Sequence, residues 1–252
     1  MAQLNIAVQL YTVRDLLAKD FIGTLKKVRR VGYAYVELAG YGPYKAGDLK
    51  KILDDTGLVP ASTHCPVDLL ENDVGRALDE AAVLGVKYVV CPYLPEERRR
   101  DEQGWRRCAA LLNWAGQAAR DRGFQLCYHN HSFEFVRLGG RYALDLLFDE
   151  TDPSLVQAEL DTYWVKHGHE EPVDYINRLK GRCPILHLKD MADDDRRSFA
   201  AVGEGVLDFG SILAAGQAAG AAWGIVEQDI CPGNPIDSIA RSLENLRRMG
   251  IA

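Results

Sequence analysis

Short apolar runs recur along this chain, and most of them end in a residue that can bind a metal ion or transfer a proton. The eight runs are NIAVQL, YVEL, VPASTH, KYVVC, QLCYHNH, VQAELD, ILHLKD and WGIVEQD. Continuous apolar stretches of this length are typical of strands that are buried on both faces of a parallel sheet. Between them, apolar residues recur at helical spacing. The pattern therefore predicts strands that alternate with helices.

The predicted helices share one feature, which is a glycine close to the C-terminal end, a common position for that residue. They span residues 21–31, 48–56, 74–84, 105–122, 173–179, 212–219 and 237–249. The helix–glycine–strand pattern repeats about every 25 to 35 residues, which is the length of one βα unit. An open sheet that binds a dinucleotide would carry a glycine-rich turn after its first strand, but LYTVRD follows Gln9.

These observations predict an α/β fold of the (β/α)8 TIM-barrel class, in which all strands direct their C-terminal ends to one pocket. That arrangement accounts for a reactive residue at the end of run after run. The chain has 252 residues, the usual size of one such barrel, so a single domain is expected over residues 1–252.

Composition and charge narrow the possible partners. The net charge is −6 and the sequence contains no dominant basic patch, so neither nucleic acid nor an anionic membrane is an expected partner. No apolar stretch approaches the ~20 residues that span a bilayer, and the N-terminus lacks a signal-type pattern. The six cysteines form no C-x-x-C pair. We expect reduced thiols in a cytoplasmic protein.

Four segments carry potential metal ligands at or just beyond the ends of the fifth to eighth predicted strands. They are HNHSFEF (129–135), ELD (159–161), HLKD (187–190) and VEQD (226–229). Adjacent strands would place their carboxylates and imidazoles on one arc of the barrel rim. Such a set suits a divalent ion, with Mn²⁺ preferred and Mg²⁺, Co²⁺ or Zn²⁺ as alternatives. A hydroxy-ketone can chelate this ion, which stabilises the enediolate formed when the α-proton leaves.

The same segments, in the same order, resemble the xylose isomerase-like TIM-barrel superfamily, the sugar phosphate isomerase/epimerase group. The resemblance covers nearly the whole chain and is carried by QLYTVRD (9–15), GYAYVEL (32–38), STH (62–64), YHNHSFEF (128–135), ELDTYW (159–164), HLKD, VGEGVLDF (202–209) and VEQD. It implies a metal-dependent isomerase or epimerase that acts on a keto-sugar or related polyol ketone. It also implies a small-molecule sugar as substrate and a possible homo-oligomer.

The resemblance further implies a metal site formed by Glu, Asp, His and Glu. Asp161, His187 and Glu227 correspond to the last three ligands. We expect Glu134 to be the first, with His129 as the alternative because it stands where many members of the family carry Glu. Glu134 and Glu227 would also be the proton carriers.

The resemblance also implies residues that bind substrate. His64, His131 and Lys189 would line the pocket and bind substrate hydroxyls. Glu37, inside the second predicted strand, is also assigned to substrate binding, with the barrel interior as its alternative location.

Several alternatives remain at this stage. Asp161 could cap a helix, His187 could be a core histidine, and Lys189 could form a Schiff base as in aldolase barrels. The main functional alternative is a lyase on the same scaffold, such as an inosose dehydratase or a 3-keto-glycoside-cleaving enzyme. A metal-dependent phosphodiesterase resembling the endonuclease IV branch would need more metal ligands and a basic face. A sugar-binding protein without catalytic activity would need no metal.

Overall fold

The computed structural model describes residues 4–251, which form a closed barrel of eight parallel strands surrounded by helices. The strands are β1 (Asn5–Gln9), β2 (Tyr35–Leu38), β3 (Val59–His64), β4 (Tyr88–Cys91), β5 (Gln125–His129), β6 (Val156–Asp161), β7 (Ile185–Leu188) and β8 (Trp223–Val226). Around the barrel their order is β1-β8-β7-β6-β5-β4-β3-β2, and β1 pairs with both β8 and β2. The predicted TIM-barrel class is confirmed.

The helices lie outside the barrel between successive strands. They are α1 (Arg14–Leu17), α2 (Phe21–Val31), α3 (Ala46–Thr56), α4 (Val67–Asn72), α5 (Val74–Leu84), α6 (Glu102–Asp121), α7 (Ala143–Asp149), α8 (Thr162–His167), α9 (Pro172–Arg178), α10 (Phe209–Ala219) and α11 (Pro235–Arg248). Short 3₁₀ turns cover Leu10–Val13, Glu96–Arg98 and Phe133–Phe135. Within residues 4–251, no helix is both long and apolar enough to cross a membrane.

The predicted helices are all present, but several begin earlier than their apolar pattern suggests. Helix α6 begins at Glu102 because the Asp101 carboxylate accepts the N–H of Gly104 at 2.7 Å. Helix α10 begins at Phe209 because the Asp208 carboxylate accepts the N–H of Ser211 at 3.1 Å. A capping side chain satisfies backbone donors of the first turn, so the helix extends up to it whatever the hydrophobic pattern.

The barrel interior changes character along the strands. A buried apolar layer near the N-terminal ends contains Ala7, Ala61, Tyr88, Val90, Cys127, Ile185 and Ile225. Successive side chains of a strand point to opposite faces, so the next interior position lies two residues further on. His129 follows Cys127, His187 follows Ile185, and Glu227 follows Ile225 in this way. The alternation thus places an apolar layer inside the barrel and a polar layer at the C-terminal ends of the strands.

Asp190 organises the loop that follows β7. Its carboxylate accepts the N–H groups of Gly203 at 2.9 Å and Gly205 at 2.8 Å, and that of Leu207 at 3.2 Å. A Cβ at position 205 would lie 2.1 Å from the carbonyl oxygen of Met191, so only glycine fits there. The segment VGEGVLDF is therefore held beside the polar end of the barrel by one buried carboxylate.

Candidate metal and substrate site

Four side chains from β5 to β8 converge at the C-terminal end of the barrel. His129, Asp161, His187 and Glu227 each offer one ligand atom, and these atoms all lie within 4.8 Å of one another. All four residues are buried. We call these residues the upper group. It contains Asp161, His187 and Glu227, three of the four residues that the sequence analysis expected to bind a metal.

The polar atoms of the upper group are not fully paired with one another. His129 Nε2 and Asp161 Oδ2 lie 3.4 Å apart and neither makes a hydrogen bond, although Asp161 Oδ2 also lies 3.2 Å from Nζ of Lys189. His187 Nδ1 lies 2.9 Å from Glu227 Oε2. Buried polar atoms without partners are costly, and buried carboxylates are normally paired or bound to a metal. Two imidazoles and two carboxylates with unsatisfied atoms facing each other fit a divalent ion.

Asp161 has two roles that the sequence analysis treated as alternatives. Its Oδ1 accepts the N–H of Trp164 at 2.8 Å and so caps α8. Its Oδ2 faces the upper group. The cap fixes the rotamer of the carboxylate, and this orients the second oxygen toward the other ligands. The two interpretations are therefore compatible.

Lys189 is buried beside the upper group and contacts three carboxylates. Its Nζ lies 2.7 Å from Glu227, 2.9 Å from Asp229 and 3.2 Å from Asp161. Burial alone would lower the pKa of Lys189, but Asp161 and Glu227 outweigh it and hold that pKa well above its usual value. A firmly protonated amine is a poor nucleophile, which argues against the Schiff-base alternative.

Glu134 lies outside the upper group, contrary to the expectation that it would be the first metal ligand. The chain turns through Phe133–Phe135 and buries this carboxylate beneath the loop. Its Oε1 accepts the hydroxyl of Tyr128 at 2.7 Å, and its Oε2 accepts the N–H of His131 at 2.8 Å. Burial raises the pKa of Glu134 to about 8. His129, the alternative named from the sequence, takes its place in the upper group.

A second set of polar residues, the lower group, lies deeper in the barrel. It consists of Glu37, His64 and Glu159, which surround Nε2 of His187. Glu37 Oε1 lies 2.7 Å from His187 Nε2, and Glu159 Oε2 lies 3.1 Å from it. Burial opposes ionisation of Glu37, but His64 and His187 hold its pKa well below the usual range. Glu37 thus occupies the barrel interior, its alternative location, rather than the wall of the cavity.

Glu159 is a site residue that was not expected from the sequence. It stands two positions before Asp161 on β6, so strand alternation directs it to the same face of the barrel. That spacing was the available signal. The sequence alone did not show which interior residues of the other strands lie beside Glu159. That depends on the register of the closed sheet.

A cavity of about 270 Å³ opens above the upper group. Its walls include Tyr11, His64, Tyr93, His131, Lys189 and Asp229. The His131 ring lies parallel to that of Phe133, with centroids 5.3 Å apart, and edge-on to that of Tyr93. Burial, His129 and Lys189 hold the pKa of His131 well below its usual value, so its imidazole is neutral. The cavity brings together three of the expected substrate-binding residues: His64, His131 and Lys189.

Comparisons with known proteins agree with this architecture. The model of the protein family described as "Xylose isomerase-like TIM barrel" matches residues 25–249. An inosose dehydratase from Clostridium beijerinckii is 25% identical over 229 residues, which cover 77% of this chain and 76% of that protein. An inosose dehydratase from Lacticaseibacillus casei is 32% identical over 152 residues, 53% of this chain and half of that protein.

The structural comparison covers almost the whole barrel. A sugar phosphate isomerase/epimerase from Parabacteroides distasonis is 26% identical and superposes with a TM-score of 0.86. The similarity covers 98% of this chain and 94% of that one.

Proposed function

This chain belongs to the xylose isomerase-like TIM barrel family, and on that premise we propose that it is a divalent-metal-dependent lyase. Its substrate would be a polyol ketone, such as a keto-inositol or a keto-sugar. The reaction would remove the proton next to the carbonyl and expel an oxygen substituent from the β-carbon. The observation that carries the proposal is the upper group below the cavity, with His129 Nε2 and Asp161 Oδ2 buried and without hydrogen-bond partners.

The relatives favour the lyase, which the sequence analysis held as the alternative, over an isomerase or epimerase. Two relatives matched over 229 and 152 residues are both inosose dehydratases. Dehydration and epimerisation of a polyol ketone begin with the same loss of an α-proton, and they differ in whether a β-substituent then leaves. The upper group and the cavity serve the common first step in either case.

His129, Asp161, His187 and Glu227 are the residues that would hold the ion. Two imidazoles with two carboxylates suit Mn²⁺, Co²⁺ or Zn²⁺ better than Mg²⁺, which prefers oxygen ligands and retains water. When bound, such an ion supplies Lewis acidity toward a carbonyl oxygen. Mn²⁺ remains our preferred ion, and metal analysis of the purified protein tests that preference.

Two carboxylates that Lys189 bridges at the cavity wall would move the protons. Lys189 links Glu227, at 2.7 Å, to Asp229, at 2.9 Å, and Asp229 borders the cavity. The side chain of Asp229 is 21% exposed and that of Glu227 is 5% exposed, so Asp229 is the carboxylate that a substrate can reach. We assign proton transfer to Glu227, as the family resemblance implies, and to Asp229, with Lys189 holding the two carboxylates in place. Glu134, the other expected proton carrier, does not line the cavity.

The neutral His131 and the adjacent aromatic rings would bind the substrate. Tyr11 and Tyr93 stand at the cavity wall and are 43% and 44% exposed, so these rings can contact a sugar or inositol ring, although Arg14 covers one face of Tyr11. His64 reaches the same cavity from β3. These residues would orient hydroxyl groups around the reacting carbons.

An isomerase or epimerase is the second candidate. The observation in its favour is the Parabacteroides distasonis sugar phosphate isomerase/epimerase, which matches the chain over almost its full length. In this reaction the proton returns to carbon, and no substituent is lost.

The test is solvent exchange with product analysis. Keto-inositols, ketoses and 3-keto-glycosides are incubated in deuterated buffer with the metal-loaded protein and followed by NMR and mass spectrometry. We expect deuterium next to the carbonyl, loss of water or of an aglycone, and loss of both signals with a chelator. Glu227→Gln should be inactive, whereas Glu204→Gln, an exposed carboxylate paired with Arg241, serves as the matched control. Deuterium uptake with a new epimer and no elimination would establish the second candidate.

A further inference from the structure

The lower group is arranged like a binding site in its own right. Glu159 precedes Asp161 by two positions on β6, which places it about 7 Å deeper along the strand. Glu37 comes from β2 and His64 from β3, so the group joins opposite walls of the barrel. His187 lies between the two groups, with Nδ1 toward Glu227 and Nε2 toward Glu37.

The lower group holds more acceptors than donors. His64 Nε2 faces Glu159 Oε2 at 3.0 Å and Glu37 Oε2 at 3.3 Å. Glu37 Oε2 also accepts the hydroxyl of Ser62 at 2.9 Å. Both carboxylates are fully buried, and Glu159 Oε1 has no hydrogen-bond partner. An unpaired carboxylate oxygen in the centre of a barrel is costly unless a cation completes its environment.

We propose that Glu37, His64 and Glu159 form a second binding site for a small divalent transition-metal ion. Ligand bonds of about 2.0–2.2 Å place neighbouring ligand atoms of a tetrahedron or octahedron roughly 2.8 to 3.6 Å apart. The two distances from His64 Nε2 to the carboxylates, 3.0 and 3.3 Å, fall within this range. One imidazole with two carboxylates suits Zn²⁺, Mn²⁺ or Co²⁺.

His187 would serve the two sites through different nitrogens. A neutral imidazole has one nitrogen free to bind a metal, and the other carries a proton. If Nδ1 binds the ion of the upper group, the N–H at Nε2 donates to Glu37 Oε1 at 2.7 Å. Glu37 Oε2 then remains for the second ion, together with His64 and Glu159. The inference depends on the proposed function only in assigning Nδ1 of His187 to the upper ion.

A second ion would also balance the negative charge of the buried carboxylates Glu37 and Glu159. Once His187 binds the upper ion through Nδ1 it carries no charge of its own, and a protonated His64 would neutralise only one of the two buried carboxylates below. A divalent ion between Glu37 and Glu159 compensates both. His64, whose side chain is 12% exposed, connects this site to the cavity and gives an ion a route of entry.

Metal stoichiometry tests the proposal. The full-length protein is stripped with a chelator, dialysed separately against Zn²⁺, Mn²⁺ and Co²⁺, and analysed by plasma emission. We expect two ions per chain in the wild type and in the control Glu204→Gln, and one in Glu159→Gln and in His64→Asn. The visible spectrum of the Co²⁺ form should show two environments in the wild type and one in each lower-group variant.

The outcomes separate this inference from the proposed function. One ion per wild-type chain overturns the second site, and so does Glu159→Gln retaining two. One ion that binds about 10- to 100-fold more weakly in Glu159→Gln also overturns it, because the lower group then only supports His187 by hydrogen bonding. If Glu159→Gln fails to fold, as judged by circular dichroism, the wild-type stoichiometry and His64→Asn decide. Deuterium exchange with a single bound ion leaves the proposed function intact.

Discussion

The two halves of the barrel rim differ in chemistry although their backbones are equivalent. Strands β5, β6 and β7 contribute His129, Asp161 and His187 to the upper group, and the residues that follow β7 and β8 add Lys189, Glu227 and Asp229. Strands β1 to β4 contribute Gln9, Glu37, Ser62 and His64, with Tyr11 and Tyr93 in the loops that follow. All eight strands end at the same rim. Under the proposed function, the β5–β8 side would bind the first ion and move protons, and the loops of the β1–β4 side would recognise the substrate, while Glu37 and His64 belong to the lower group.

The two sides also differ in how many carboxylates they carry and in the groups that face those carboxylates. On the β5–β8 side, three buried or half-buried carboxylates face the single ammonium of Lys189. On the β1–β4 side, Glu37 of the lower group contacts His64 and Ser62. Negative charge is therefore more concentrated on the β5–β8 side, and substitutions on the two sides should have different consequences.

The largest effect is expected for Asp161→Asn. Asparagine still caps α8, because its side-chain oxygen accepts the N–H of Trp164, but it brings no charge to the upper group. We expect ion retention to be lost and α-proton exchange to fall at least about 10³-fold, with little change in thermal stability. Plasma-emission analysis and the exchange rate check this. Wild-type metal content in the variant would remove Asp161 from the site.

Lys189→Met should separate ion binding from proton transfer. The substitution removes a cation that lies 2.7 Å from Glu227 and 3.2 Å from Asp161, so an ion should bind as tightly as in the wild type or more tightly. Turnover should fall about 10²-fold because Glu227 and Asp229, the assigned proton carriers, lose the cation that positions them. Calorimetric titration with Mn²⁺ and steady-state kinetics measure the two effects. A covalent adduct at Lys189, trapped with borohydride and substrate, would instead establish Schiff-base chemistry.

His129→Asn and Glu134→Gln form a matched pair on the segment after β5. We expect the first to weaken ion binding about 10²-fold and the second to change it less than about threefold. The reason is that His129 Nε2 faces Asp161, whereas the two oxygens of Glu134 accept hydrogen bonds, one from the Tyr128 hydroxyl and one from the His131 N–H. Competition with a chromogenic chelator gives both affinities. The reverse order would restore Glu134 as the ligand.

A substitution in a loop of the β1–β4 side, away from the lower group, should affect substrate recognition alone. Tyr11→Ala removes an exposed ring from the cavity wall. We expect kcat/KM to fall about tenfold, equivalent to about 1.4 kcal/mol, through KM rather than kcat. Metal content should be unchanged. Loss of the ion in this variant would contradict the division between the two halves.

The smallest effect concerns stability and pH at Glu134. The folded protein holds a proton there up to about pH 8, whereas the unfolded chain releases it near pH ~4.3. The unfolded state therefore binds fewer protons between these values, and this group lowers the free energy of unfolding as pH rises through the window. Glutamine cannot ionise, so Glu134→Gln should gain stability relative to the wild type from about pH 5 to about pH 8. Parallel urea-unfolding midpoints across that range would contradict the effect.

Much of the fold could be predicted because its signals are local. The spacing of apolar residues indicated the helices and strands, and the residues at the strand ends indicated the metal site. Asp161, His187 and Glu227 follow from one rule, since each occupies an interior position at the end of a parallel strand. The same rule favours His129, which occupies the interior position at the end of β5. The expectation of Glu134 came instead from the ligand types of the family, and the structure directs that carboxylate to the hydroxyl of Tyr128.

The sequence by itself thus determined the barrel, the end of it that carries the polar residues, and three members of the upper group. Only the tertiary structure decided which carboxylates meet. Glu37 and Glu159 are 122 positions apart on opposite strands, and they approach His187 from two sides only once the sheet has closed. Periodicity reports which face of a strand a side chain occupies, whereas contact across a barrel depends on closure and register, which no local pattern records.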